Sequence, residues 1–212
     1  MSDLPTGDVA FLFTDIEGST QLFEQYPEAM QKAHARHHAL LRNAIEIQGG
    51  HIFQVVGDGI CAAFPAADQA LAAALAAQRA LHHEDWGELG ALRVRLGLHH
   101  GDAEADGDEY LSSLTLVRAQ RVMAAGHGGQ TLLSSAMADA VRNHLPDGTT
   151  LRELGMFKLR GLAEAEGISE LVAADLPAEF PPLRIEDVET LPSTALDELV
   201  RGKLVGRSAE LT

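Results

Sequence analysis

Cysteine is almost absent from this chain. Cys61 is the only one in 212 residues, which excludes an internal disulfide and fits a reducing cytoplasm. Aromatic residues make up only 5%, so aliphatic side chains and alanine must fill the core. Positive charge is scarce too: 16 Lys and Arg face 31 Asp and Glu, for a net charge of -15. Such a surface does not wrap nucleic acid or lie on an anionic membrane. A phosphate-bearing ligand would need metal ions and a few placed basic residues to neutralise it. No apolar run approaches the roughly 20 residues that span a bilayer, and the acidic N-terminal tail, residues 1–7, lacks an apolar signal core. The expectation is a cytoplasmic protein that contacts neither membrane nor nucleic acid.

What is present is ordinary for a folded domain. Hydrophobic residues reach 46% and charged ones 22%, and the length suits one domain with a substantial core plus a tail, or two small domains. Residues 9–13 are apolar without alternation, as in a strand buried on both faces. Met30, Ala33, His37, Leu40, Leu41, Ala44 and Ile45 recur at helical spacing, predicting a helix over 28–47 that Gly49-Gly50 stops. Two β-favouring runs flank Gly57-Asp58-Gly59, a hairpin signature. An alanine-rich helix is expected over 67–83 and a strand over 92–99, and the acidic segment 101–108 reads as a solvated hairpin. Ser112 or Ser113 is placed to cap a helix ending near Ala125, and Ser134 to cap another ending near His144. Short strands are expected over 131–133, 151–154, 156–159 and 168–172. The alternation describes an α/β (α+β) domain around one mixed sheet. From Ala174 onward, Pro177, Pro181, Pro182 and Pro192 break any periodicity, which reads as a linker.

Two acidic residues stand where chemistry is feasible. Asp15 follows the first apolar run and precedes Gly18, with Ser19 and Thr20 as candidate helix caps. It reads either as an Asp capping a helix after a core strand or as the carboxylate of a Mg-phosphate site. In the second case the free amides opening the helix face the phosphate oxygens. Asp58 has a plain explanation of its own, since Asp-Gly is common turn chemistry. If the two strands are neighbours, both carboxylates reach one edge of the sheet and could hold two cations about 4 Å apart. His34 and His38 lie one helical turn apart, but no Cys completes a set, and Lys32 and Arg36 share the face. No metal site is expected there.

Phe13-Thr14-Asp15-Ile16-Glu17-Gly18-Ser19-Thr20 and Val56-Gly57-Asp58-Gly59 resemble the two metal-site motifs of class III nucleotidyl cyclases. Three further stretches, 94–101, 118–130 and 158–162, are similar to the same family in the same order, so the resemblance covers about residues 8 to 173. It implies a ferredoxin-like mixed sheet with flanking helices, the nucleotidyl cyclase fold, working as a head-to-tail homodimer with active sites at the interface. It also implies two Mg2+ or Mn2+ ions per active site, held by Asp15, Asp58 and the carbonyl of Ile16. The amides of Glu17, Gly18, Ser19 and Thr20 would cradle the β- and γ-phosphates. Arg160, or alternatively Lys158, would neutralise the terminal phosphates. Arg121 from the second protomer would stabilise charge as the ribose 3′-oxygen attacks the α-phosphate of ATP or GTP and pyrophosphate leaves. The product would be a 3′,5′-cyclic nucleotide for intracellular signal transduction, with cAMP favoured over cGMP.

Departures from the family pattern fall at the base and ribose end. Where adenylyl cyclases carry a base-reading lysine, this chain has Gln54, which can address either adenine or guanine. The second base-reading position falls at Glu109 or Tyr110. Val117 stands where the family has a ribose-orienting asparagine. Losing one such contact costs around 1–3 kcal/mol, roughly 10- to 100-fold in rate. The alternative to an enzyme is therefore a weak or silent cyclase-like module that dimerises or binds nucleotide. The expected organisation is a tail at 1–7, a cyclase domain at 8–174 and a Pro-rich linker at 175–203. Residues 204–212 read as the start of an ATPase-like module, of the kind that follows such domains in multidomain bacterial regulators, or as a frayed tail.

Overall fold

The computed structural model describes residues 4–111 and 113–185. Ser112, the later part of the expected linker and the ATPase-like start at 204–212 lie outside the described residues. The elements run β1 (Gly7–Ile16), α1 (Ser19–Gln25), α2 (Pro27–Ile47), β2 (His51–Val56), β3 (Gly59–Phe64), α3 (Ala67–His83), β4 (Val94–Ala103), β5 (Ala105–Asp106), β6 (Glu109–Tyr110), α4 (Leu114–Ala124), β7 (Thr131–Ser134), α5 (Ser135–Val141), β8 (Thr149–Phe157) and β9 (Glu166–Ala173). Seven strands form one mixed sheet in the order β2-β3-β1-β4-β7-β9-β8, while β5 and β6 pair as a separate hairpin. Only the β4–β7 contact is parallel among these pairings.

The unbroken apolar run of β1 follows from its place inside this sheet. Ala10, Leu12 and Ile16 face a core built with α2, α3 and α5. Val9, Phe11 and Phe13 face the opposite side, against Ala119 and Met123 of α4 and Tyr110 of β6. Helices cover both faces, so alternation would place polar groups in a core. Ser113 and Ser134 cap α4 and α5 through their side chains, as expected.

Three local expectations change. Ser19 and Thr20 do not cap α1; its N-cap is Gly18, at φ 70°, where a residue without Cβ is favoured. The strand expected over 92–99 begins at Val94 but continues to Ala103, because its pairing with β1 runs on to Gly7↔Ala103. The two strands expected at 151–154 and 156–159 are one strand, β8, interrupted at Gly155 by a register shift against β9.

Gly97 of β4 is where α4 comes closest to the sheet. A Cβ there would lie 2.3 Å from Met123 N and 2.4 Å from Met123 Cα. Both are backbone atoms and cannot swing aside. Gly97→Ala is expected to cost about 2–3 kcal/mol, visible as a lowered urea midpoint with unchanged slope. An unshifted midpoint would mean that α4 is not seated on Gly97.

Two buried imidazoles make stability depend on pH. Burial lowers the pKa of His37 to about 3 and that of His99 to about 4, with neighbouring positive charge adding in each case. Both are neutral in the folded chain, whereas unfolding frees them to bind a proton below about pH 6.5. The unfolded state therefore holds more protons between those values, and stability falls as pH drops from 6.5 towards 4. Urea unfolding should show a loss of about 2 kcal/mol per histidine at pH 5 relative to pH 7. Asp15, whose pKa is raised, works in the opposite direction. Equal stability at both pH values would contradict the burial of these rings.

Candidate active site

The end of β1 is tied to the β2–β3 turn by side chains rather than by the ladder. Regular β1–β3 pairing stops at Phe13↔Cys61. Beyond it, Ile60 N donates to the buried Thr14 hydroxyl at 3.0 Å, and Ile16 N donates to Asp58 Oδ2 at 2.9 Å. Asp58 is therefore brought back to the strand end that carries Asp15. The two acidic residues that the sequence places 43 positions apart share one rim of the sheet.

Arg95 on β4 was not among the candidates, yet it makes the strongest contact with Asp15. The two are register partners across β1–β4, which sets opposite charges side by side. Arg95 Nε and Nη2 donate to Asp15 Oδ2 at 2.9 and 2.6 Å, and its Nη1 reaches Ala124 O at 3.5 Å. Burial holds the Asp15 carboxyl above the usual carboxylate range, and the charge of Asp58 adds to this. Arg95 and Arg184 oppose the shift without cancelling it. A carboxyl that is costly to ionise beside a second carboxylate gains from a bound cation.

Beyond Ile16 the chain turns into α1. Glu17 N donates to Arg93 O at 2.9 Å, so of the four expected phosphate-facing amides this one is committed within the protein. Gly18, Ser19 and Thr20 open the helix. Glu17's side chain accepts from Arg184 Nη2 at 2.6 Å.

The remaining candidates sit on other elements. Arg121 lies in the last turn of α4, its Nη1 donating to Gln120 Oε1 at 2.5 Å. Arg160 follows β8 directly after the buried Leu159, and Lys158 donates to Ala163 O. Gln54 is half-buried on β2, opposite Cys61 and next to a register shift. Tyr110 is withdrawn from base reading: it is buried, its ring packs edge-on against Phe11 and Phe53, and its hydroxyl donates to Pro5 O at 2.6 Å. Its neighbour Glu109 is exposed. Val117 packs beside Val122, Leu159 and Ile168.

The described residues contain no group of three or more His, Cys, Asp or Glu arranged to hold a metal. What converges at the strand end is a smaller, oxygen-only set: two carboxylates and the Ile16 carbonyl position. That chemistry suits a hard divalent cation completing its shell with phosphate oxygens and water. The residues present fit such an ion.

The family model described as the adenylate and guanylate cyclase catalytic domain matches residues 1–168. This chain belongs to that family. An uncharacterized protein of Mycobacterium tuberculosis is 35% identical to this cyclase domain over 210 residues, covering 98% of this chain and 70% of that protein. An adenylate cyclase of Podospora anserina is 30% identical over 221 residues, covering 79% of this chain but 10% of that much longer protein. Among solved structures, an adenylate cyclase of Trypanosoma brucei in its monomeric state superposes with a TM-score of 0.77 at 27% identity, covering 87% of this chain and 97% of that one. The fold expected from the motifs is thus the fold found. Among the described residues, no helix of the cyclase domain is long and apolar enough to cross a membrane.

Proposed function

We propose that the chain is a nucleotidyl cyclase that converts ATP, in preference to GTP, to its 3′,5′-cyclic nucleotide and pyrophosphate. The observation that carries this reading is the joining of Asp15 and Asp58 at one strand end through the Ile16–Asp58 hydrogen bond. Asp15, Asp58 and the Ile16 carbonyl would hold two Mg2+ or Mn2+ ions. Such ions polarise the α-phosphate and lower the pKa of a coordinated hydroxyl. The amides of Gly18, Ser19 and Thr20 face the β- and γ-phosphates, and Arg160 adds positive charge at the terminal phosphate. Arg121 is delivered by a second copy of the chain, so the working unit is a homodimer with two composite sites. There it stabilises the negative charge that builds up at the α-phosphate.

Gln54 and Glu109 are left to read the base. Both the Podospora and the Trypanosoma relatives are named adenylate cyclases, which favours ATP. A cytoplasmic role in signalling, and an ATPase-like module joined through the linker, belong to the same reading.

One observation favours a second reading, in which the domain binds nucleotide or dimerises without substantial turnover. Val117 packs into an apolar cluster and offers the ribose no hydrogen bond. The two readings separate in one assay: the purified chain is incubated with MnCl2 and either ATP or GTP, and products are identified by chromatography. Cyclic AMP in excess over cyclic GMP is the expected result. Nucleotide binding without either cyclic product would refute the enzyme and support the silent module.

A further inference from the structure

After β9 the chain turns back over the domain instead of leaving it. Leu176 N donates to Ala173 O at 3.2 Å, and Arg152 Nη2 donates to Ala178 O at 2.5 Å. His127 Nε2 lies 2.9 Å from Pro182 O, and Arg184 N donates to Ala125 O at 2.9 Å. Leu183 packs with Val122 and Leu132, and the Phe180 ring covers Gly129. Beneath the segment lies a cavity of ≈400 Å3 bounded by Glu17, Trp86, Arg93, His127, Pro177 and Phe180. The path ends with Arg184 Nη2 2.6 Å from Glu17 Oε1, a partly buried ion pair that His127 Nδ1 approaches at 3.9 Å.

We infer that residues 174–185 form a strap belonging to the nucleotide site, in which Arg184 is a positioning residue that fixes the 17–20 loop for a triphosphate. The inference rests on the cyclase reading and adds to it a residue from beyond the last strand. Glu17 is held on three sides. Its N–H is bonded to Arg93 O, its Cβ lies 2.9 Å from where a side chain on Gly128 would begin, and its carboxylate is held by Arg184. The next residue, Gly18, sets the direction of α1 and of its first amides. Holding Glu17 therefore holds those amides in one orientation before the ligand arrives, which lessens the ordering cost of binding. Arg184 also offsets the Glu17 charge, which would otherwise repel phosphate, and its field extends to Asp15.

The test compares the 212-residue chain with its Arg184→Ala and Arg184→Lys variants. Binding of 3′-deoxy-ATP, which cannot cyclise, and of AMP is measured calorimetrically with MnCl2, and amide hydrogen exchange is followed at residues 18–20. Arg184→Ala should weaken 3′-deoxy-ATP binding about fivefold, the scale of one partly exposed ion pair. AMP binding should be unchanged, exchange at 18–20 faster, and Arg184→Lys intermediate. A wild type that binds 3′-deoxy-ATP while Arg184→Ala binds it equally or more tightly would overturn the strap alone. So would a parallel loss for AMP, the mark of a general structural role. A wild type that binds no triphosphate would overturn the cyclase reading and the strap with it.

Discussion

Asp58→Ala is expected to lower Mn-dependent formation of cyclic nucleotide by about 100-fold or more, the size of effect that follows loss of one preorganised charged group. Asp58 sits half-buried in the β2–β3 turn, outside the apolar core clusters. Its carboxylate accepts from Ile16 N at 2.9 Å, and leaving the N–H of that buried residue unpaired costs about 1–3 kcal/mol. Stability should therefore fall moderately, with the chain still folded, while turnover collapses. Asp58→Asn sharpens the comparison. It keeps an oxygen able to accept from Ile16 N–H but removes the charge, so it should retain wild-type stability and still lose activity. Substantial turnover in either variant would remove Asp58 from the metal site.

The second large effect is complementation. Asp15→Ala and Arg121→Ala should each be nearly inactive alone, because every site in a homodimer would lack one essential group. Mixed in equal amounts, half of the dimers pair unlike chains. In each of these, one composite site carries both defects and the other carries none, so roughly a quarter of all sites are intact. Recovered activity should approach that fraction as subunits exchange. No recovery, with heterodimers shown to form, would contradict a site shared between copies.

The success of the sequence in predicting β1 and its failure at Arg95 have a common physical origin. A strand buried on both faces leaves a local trace, an unbroken apolar run, and residues 9–13 show it. Helix periods and the Gly57-Asp58-Gly59 turn are likewise written within a few residues of one another. The Asp15–Arg95 pair is not local. Its members are 80 positions apart, and they meet only because β1 and β4 pair in one register out of several that the composition would tolerate.

Misread segments show the same limit. Gly155 lies between the two strands expected at 151–154 and 156–159. In the sheet it is absorbed as an irregularity within β8, held by β9 on either side of it. The family resemblance places the second base-reading position at Glu109 or Tyr110 without separating the two. Only the fold shows Phe11 and Phe53 closing over the Tyr110 ring. Prolines after Ala174 truthfully report the absence of helix and strand up to Ile185. They carry no sign that Leu183 and Arg184 return to the domain, since one leucine and one arginine form no pattern. The two carboxylates that meet at the strand end were legible from two motifs, whereas the contacts that bring them together and orient them depend on tertiary placement.

The most direct test of the account is anomalous diffraction from crystals of the chain grown with MnCl2 and 3′-deoxy-ATP. Two manganese peaks about 4 Å apart are expected, both within bonding distance of Asp15 or Asp58 oxygens, with the α-phosphate beside them. Manganese bound elsewhere, or nucleotide bound with Asp15 still paired to Arg95 and no metal at Asp58, would contradict the account.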